Sequence, residues 1–295
     1  KIYVSLSETS IGDATASALG EALRCCPQIS RLKMSLYSSK VTDAGGRALA
    51  AGLKLPLLKD LQLWLHETSV GDETASALGE ALRCCPQISR LNLSLYNTKL
   101  TDAGGKELVS GLEHLSLQDL DLRIGETQVA EETGVALGQS LKSLSGLAKI
   151  LLDLSDTRMG DASGSALGEA LRCCPLISKL TVVLYNTKLT DAGGKELVSG
   201  LGHLPLQDLD LRIRDTQVAE ETGVALGQSL RNLSSLAKLY LSLADTRMGD
   251  ASGSALGEAL RCCPQISQLT VIHQAHRRRW QEIGKRTRAA SPPGP

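Results

Sequence analysis

The sequence predicts an α/β solenoid, with a parallel sheet lining a concave inner face and helices covering the convex outer one. Three observations predict it. A single pattern of 29 or 30 residues recurs nine times and begins a tenth time, its units starting at Ile2, Leu32, Leu61, Leu91, Leu120, Ile150, Leu180, Leu209, Leu239 and Leu269. Each unit opens with apolar residues at period two, the spacing of a strand with one buried face. Each then changes to apolar residues three and four apart, the spacing of a helix. Repeats of this length are single supersecondary units that bury a continuous core only by stacking on their neighbours.

Within the strand, the third and fifth positions are apolar in every unit, from Val4 and Leu6 to Leu241 and Leu243. They are expected to point inward, each contributing roughly 1.5–3 kcal/mol when buried. Position eight is Thr in eight units and Ser39 in the other. Its hydroxyl both donates and accepts, which suits backbone groups left over where the chain turns away from the sheet. Position twelve is acidic throughout: Asp13, Asp43, Asp72, Asp102, Glu131, Asp161, Asp191, Glu220 and Asp250. One acid at the head of each helical run is expected to be its N-cap and to complement the helix dipole. That accounts for nine carboxylates without a metal cluster. In the third unit the spacing predicts a helix from about Glu73 to Cys84, with Ala77, Leu78, Ala81 and Leu82 turned inward and Pro86 ending it.

Composition narrows the class. The chain of 295 residues is 42% hydrophobic but only 2% aromatic, with no Phe, so the core must be aliphatic. Residues 273–295 carry six Lys/Arg and one acid, net +5, which leaves residues 1–272 with 26 bases against 31 acids, net −5. A mildly acidic solenoid is a poor partner for nucleic acid, and no apolar run is long enough to span a membrane. The expected organisation is a solenoid over residues 1–272 and a basic, disordered tail over 273–295, where Ser291-Pro-Pro-Gly-Pro cannot pack. The uncapped first strand predicts self-association or fraying at that end.

The string Leu-x-Leu-x-x-Thr-x-Leu-x-Asp-Ala-Gly-x-x-x-Leu-x-x-x-Leu at Leu93–Leu112 resembles the leucine-rich repeat (LRR) of the ribonuclease-inhibitor subfamily, which has Asn or Cys where this chain has Thr. The Asp-Ala-Gly starts and Ala-Leu-Gly-Glu-Ala-Leu helices look most like the repeat arrays of NACHT–LRR (NOD-like) receptors. The resemblance implies an interaction scaffold: the ligand-sensing, autoinhibitory region of a cytosolic innate immune receptor. A ribonuclease-inhibitor-type enzyme inhibitor and a regulator of a small GTPase are the other readings it implies. No nucleotide loop is expected, because Gly-Lys at 105–106, 194–195 and 284–285 is never followed by Ser or Thr.

The eight cysteines form four adjacent pairs, Cys25-Cys26, Cys84-Cys85, Cys173-Cys174 and Cys262-Cys263. The pairs stand two or three units apart. With helices about 8–10 Å apart, neighbouring pairs are separated by roughly 16 Å or more, whereas a disulfide needs Cα atoms within about 7 Å. They are expected to be reduced thiols, one inward and one near the surface, in a cytoplasmic protein. The histidines do not converge with Ser, Cys or Asp, so no catalytic residue, cofactor or metal site is expected. Positions two, four and six face outward from the strands onto the concave surface. There Tyr37, Trp64, His66, Tyr96, Arg123, Asp153, Tyr185, Arg212 and Arg214 are the candidate contacts for a protein partner, with Trp64 and its tyrosines as the anchor. Arg123 and Asp153, on neighbouring strands, are expected to pair.

Overall fold

The computed structural model describes residues 1–273. Its strands are β1 (Ile2–Ser5), β2 (Arg31–Ser35), β3 (Asp60–Trp64), β4 (Arg90–Ser94), β5 (Asp119–Arg123), β6 (Lys149–Asp153), β7 (Lys179–Val183), β8 (Asp208–Arg212), β9 (Lys238–Ser242) and β10 (Gln268–Ile272). Between them lie α1 (Asp13–Arg24), α2 (Asp43–Gly52), α3 (Asp72–Arg83), α4 (Asp102–Ser110), α5 (Glu131–Lys142), α6 (Asp161–Arg172), α7 (Asp191–Ser199), α8 (Glu220–Leu230) and α9 (Asp250–Arg261). The strands form one parallel sheet in chain order. Equivalent leucines pair in register, as Leu61 does with Leu91 and Leu91 with Leu120. Strands stack about 4.8 Å apart and helices about 8–10 Å apart, so the helix side is longer and the sheet must curve inward. This is a leucine-rich-repeat solenoid. The part expected as a tail lies, from residue 274 on, outside the described residues.

The core runs unbroken from Ala16 to Ala259 and among the described residues contains no aromatic side chain. Where each strand ends, the seventh residue of the unit is left-handed: Glu8, Ser38, Glu67, Asn97, Glu126, Asp156, Asn186, Asp215 and Asp245 have φ of 50–57°. None is glycine, so the kink carries a backbone cost. The next residue offsets it. In all nine units the Thr or Ser hydroxyl donates to the carbonyl of the unit's fifth residue, just past the strand, at 2.6–2.8 Å, as Thr68 Oγ1 does to Leu65 O. Each such bond contributes about 1 kcal/mol, and it satisfies the carbonyl that the turn removes from the ladder, as the sequence led us to expect.

The acids do something different from what their position suggested. Each is the first helical residue, not the cap, and in the first eight units its carboxylate reaches the following unit. Asp43 accepts from Gly71 N, Thr74 N and Thr74 Oγ1 at 2.8, 3.0 and 2.6 Å. Asp72 accepts from Thr101 N and Oγ1, and Asp161 from Thr190 N, Thr190 Oγ1 and Gly193 N. The N-terminus of one helix is therefore capped by the helix before it. The expected cap became an inter-unit clasp because the first N–H groups of each helix point toward the preceding unit's carboxylate.

Three other expectations need correction. Helix α3 begins and ends one residue earlier than anticipated, and Ala77 is only half-buried, while Thr74 and Ala75 are fully buried in its place. The one-in, one-out pattern holds for Cys84-Cys85, Cys173-Cys174 and Cys262-Cys263. It fails for Cys25-Cys26, both exposed at the first unit. All eight thiols are free.

Helices of neighbouring units approach through backbone. A Cβ added at Gly79 would meet Glu107 O at 2.3 Å, and one added at Gly111 would meet Gly79 O at 2.5 Å. Glycine is required there by the contact between α3 and α4.

Candidate functional site

The concave face is built by the period-two rule: positions two, four and six of each unit rise from the sheet in three rows. The backbone register places Lys33, Gln62, Asn92 and Asp121 side by side on β2–β5, and beside them Ser35, Trp64, Ser94 and Arg123. Trp64, in register between the small Ser35 and Ser94, is half-buried.

The side chains there are joined into one row. Lys33 Nζ sits 4.6 Å above the Trp64 ring and 5.4 Å from that of Tyr3. Trp64 Nε1 donates to Asn92 Oδ1 at 2.8 Å, and Asn92 Nδ2 donates to Asp121 Oδ2 at 2.8 Å. Asp121 in turn takes a two-pronged contact from Arg123, Nε at 2.9 Å and Nη2 at 3.1 Å. That bond holds the Arg123 guanidinium's pKa above its ordinary value, against the opposing effect of burial. Beside this row Tyr37 and His66 stack with centroids 4.5 Å apart and planes 9° apart. Tyr37 donates its hydroxyl to Glu8 at 2.8 Å and Tyr96 donates to Glu126. Burial pushes the Tyr96 phenol's pKa up, and the bond to Glu126 adds to it. His66 Nδ1 is buried without a hydrogen-bond partner. Burial lowers the pKa of this imidazole, outweighing Glu67, which raises it; Arg123 lowers it further.

The candidate residues fall into two groups. Tyr37, Trp64, His66, Tyr96 and Arg123 lie together on β2–β5 and the turns that leave them. Tyr185, Arg212 and Arg214 lie on the later units, where Arg214 covers the Tyr185 ring at 4.7 Å and Arg212 covers Tyr240 at 4.9 Å. Arg212 also grips Asp210 through two bonds of 2.9 and 2.8 Å. Asp153 bonds directly to neither group, although its charge acts on Tyr96, Arg123 and Arg212. It accepts from Ser155 Oγ at 2.6 Å and Ser155 N at 3.2 Å, and the expected Arg123–Asp153 pair is replaced by Arg123–Asp121. Two residues apart on one strand, Asp121 and Arg123 share a face at close range, so the local partner wins over the one across the strand gap.

Lys33, Asn92, Asp121 and Tyr240 were not singled out from the sequence. All stand at position two, which shares the concave face with position four, and that parity is the signal that finds them. Among the described residues no group of three or more His, Cys, Asp or Glu is placed to hold a metal ion, and no helix is long and apolar enough to cross a membrane.

No protein-family model matches the chain, and no curated protein matches it. Among solved structures it is similar to an internalin (inlF) from Listeria monocytogenes, 15% identical over 92% of this chain and 81% of that one, with a TM-score of 0.36. It is also similar to a chain in the octameric complex of Latrophilin 3, Unc5D and FLRT2 (LRR), 12% identical over 91% and 83%, with a TM-score of 0.39. Neither likeness carries weight for function. The solenoid rests on its own sheet and register.

Proposed function

We propose that this chain is a protein-interaction scaffold whose concave face, centred on β2–β5, docks a protein partner. The observation that carries the reading is the row Lys33–Trp64–Asn92–Asp121–Arg123 with the Tyr37–His66 stack beside it. These are large side chains held half-exposed in fixed positions by one another. Aromatic and arginine anchors dominate protein interfaces, and side chains already immobilised lose little entropy on binding. The shared polar partners fix where each anchor points without covering it.

The finer reading is the LRR region of a cytosolic NACHT–LRR-like receptor. The Asp-Ala-Gly starts and the eight free thiols support it. Its test is the open reading frame upstream of Lys1, which should encode a nucleotide-binding module; a start codon close to Lys1 removes this reading. The docking surface is tested separately, with any partner obtained. Trp64→Ala should weaken binding by about 30-fold or more, the loss of a hot spot worth at least about 2 kcal/mol. The convex change Glu80→Ala should leave it unaltered. Equal effects would remove the concave assignment. Titration with a basic ribonuclease, and GTP hydrolysis by a small GTPase, test the two other readings directly.

A further inference from the structure

Among the described residues, the helix slot beside α9 is unfilled, and its chemistry is defined. Helices fall into recognisable kinds, and one kind, represented by α1, α3, α6 and α9, ends in Ala-Leu-Gly-Glu-Ala-Leu-Arg. The first three are each followed by a helix that opens Asp-Ala-Gly-Gly and is capped by Thr: α2, α4 and α7. Among the described residues no such helix follows α9. Two independent features of α9 are left without their usual partner. Asp13, Asp72 and Asp161 each accept from the N–H and hydroxyl of the capping Thr of the next unit; their counterpart Asp250 has no such contact among the described residues. Gly20, Gly79 and Gly168 are met by backbone of the next helix, such that an added Cβ would lie 2.2–2.3 Å from a carbonyl oxygen, while at the equivalent Gly257 it would meet nothing within 4 Å. Beside them Leu243, Met248, Leu256, Leu260, Leu269 and Val271 line an open groove of about 400 Å³.

We propose that this groove binds a helix of the Thr-Asp-Ala-Gly-Gly-x-x-Leu kind supplied by a partner chain, in the way α7 lies on α6. The argument is continuity with an interface the molecule already makes three times; α6 and α9 have the same twelve residues. Residues 274–295 contain no Asp-Ala-Gly-Gly. Counted from Leu269 as in the other units, Glu282 stands where α7 has Gly193, and a Cβ at Gly193 would meet Asp161 Cα at 2.4 Å. This inference is independent of the concave-face reading.

The probe is a synthetic peptide of residues 186–203, titrated against the whole chain and followed by amide exchange. At ten times its Kd it should slow exchange in α9 and β10 about tenfold and leave α1 unchanged. Gly257→Leu fills only open space and favours helix, so it should keep the fold and abolish the effect. No protection by the peptide, or equal protection of the Gly257→Leu chain, overturns the proposal. So does protection of α9 already present without peptide and lost either on removing residues 274–295 or on dilution, since the tail or a second copy would then be the occupant.

Discussion

Helices α6 and α9 share one sequence, Asp-Ala-Ser-Gly-Ser-Ala-Leu-Gly-Glu-Ala-Leu-Arg, and differ in what lies beside them. In α6 both flanks are covered, and Ser163, Gly164, Leu167, Gly168, Ala170 and Leu171 are buried. In α9 only Ser252 and Ala259, which face α8, are buried. The strands that follow show the same contrast: Leu180 is fully buried, and its counterpart Leu269 is 49% exposed. Burial in a solenoid is thus a property of the neighbour as much as of the residue. Among the described residues, an identical surface contributes core energy in one place and lines an open groove in the other.

The largest expected break in this symmetry is at the leucines. Leu180→Ala should cost about 2–5 kcal/mol, the usual range for a buried leucine. Leu269→Ala should cost under about 1 kcal/mol, because much of the side chain is already in water. Denaturant titration of the two variants decides it, and equal losses would show that β10 is covered in solution.

The clasp gives the next contrast. Asp161→Ala leaves Thr190 N and Gly193 N without an acceptor, an expected cost of about 1–3 kcal/mol; Asp250→Ala, at a residue that holds no following helix among the described residues, should be close to neutral. Comparison of the two unfolding midpoints is the check.

A pH series sharpens the same point. Burial alone would raise the pKa of Asp102 and Asp191. The bonds from Thr133 Oγ1, Ala130 N and Thr133 N to Asp102, and from Thr222 Oγ1, Ala219 N and Thr222 N to Asp191, outweigh it and leave both below the ordinary carboxylate value. Asp13 is lowered by the Thr42 backbone and hydroxyl, and Glu220 by the Ser252 hydroxyl and backbone. A depressed carboxylate contributes its full stability above the unfolded pKa, about 4, and loses it as pH falls through the folded value. Stability should therefore be flat from neutrality to about pH 5 and fall steeply below pH 4. Asp191→Asn should flatten the acid limb, measurable by urea unfolding at several pH values.

The smallest effect concerns thiols. Burial pushes Cys174 up to about 11 and raises Cys263 as well. Maleimide at neutral pH should label Cys173 and Cys262 rapidly and their inner neighbours slowly. Cys263 should still label faster than Cys174, because the terminal unit opens more often.

Much of this was legible in advance. Period two placed Leu91, Leu93 and Leu95 in the core, and all three are buried; the Thr at position eight announced its backbone bond. The candidate residues were picked by strand parity alone, and their bonding partners were not foreseen. Whether Arg123 turns to Asp121 or Asp153 depends on side-chain reach over a curved sheet. The acid at position twelve read as a cap for its own helix, since sequence spacing within a unit says nothing about which unit its carboxylate faces.

What the sequence alone determined was the unit, the number of units and the parity of every strand residue, because repetition and hydrophobic period are one-dimensional properties. The tertiary structure decided which acid holds which helix, which of Ala75 and Ala77 is buried, and that two identical helices have different surroundings. Those outcomes depend on the distance and direction between neighbouring units, and stacking fixes both only once the chain has closed its coils against one another.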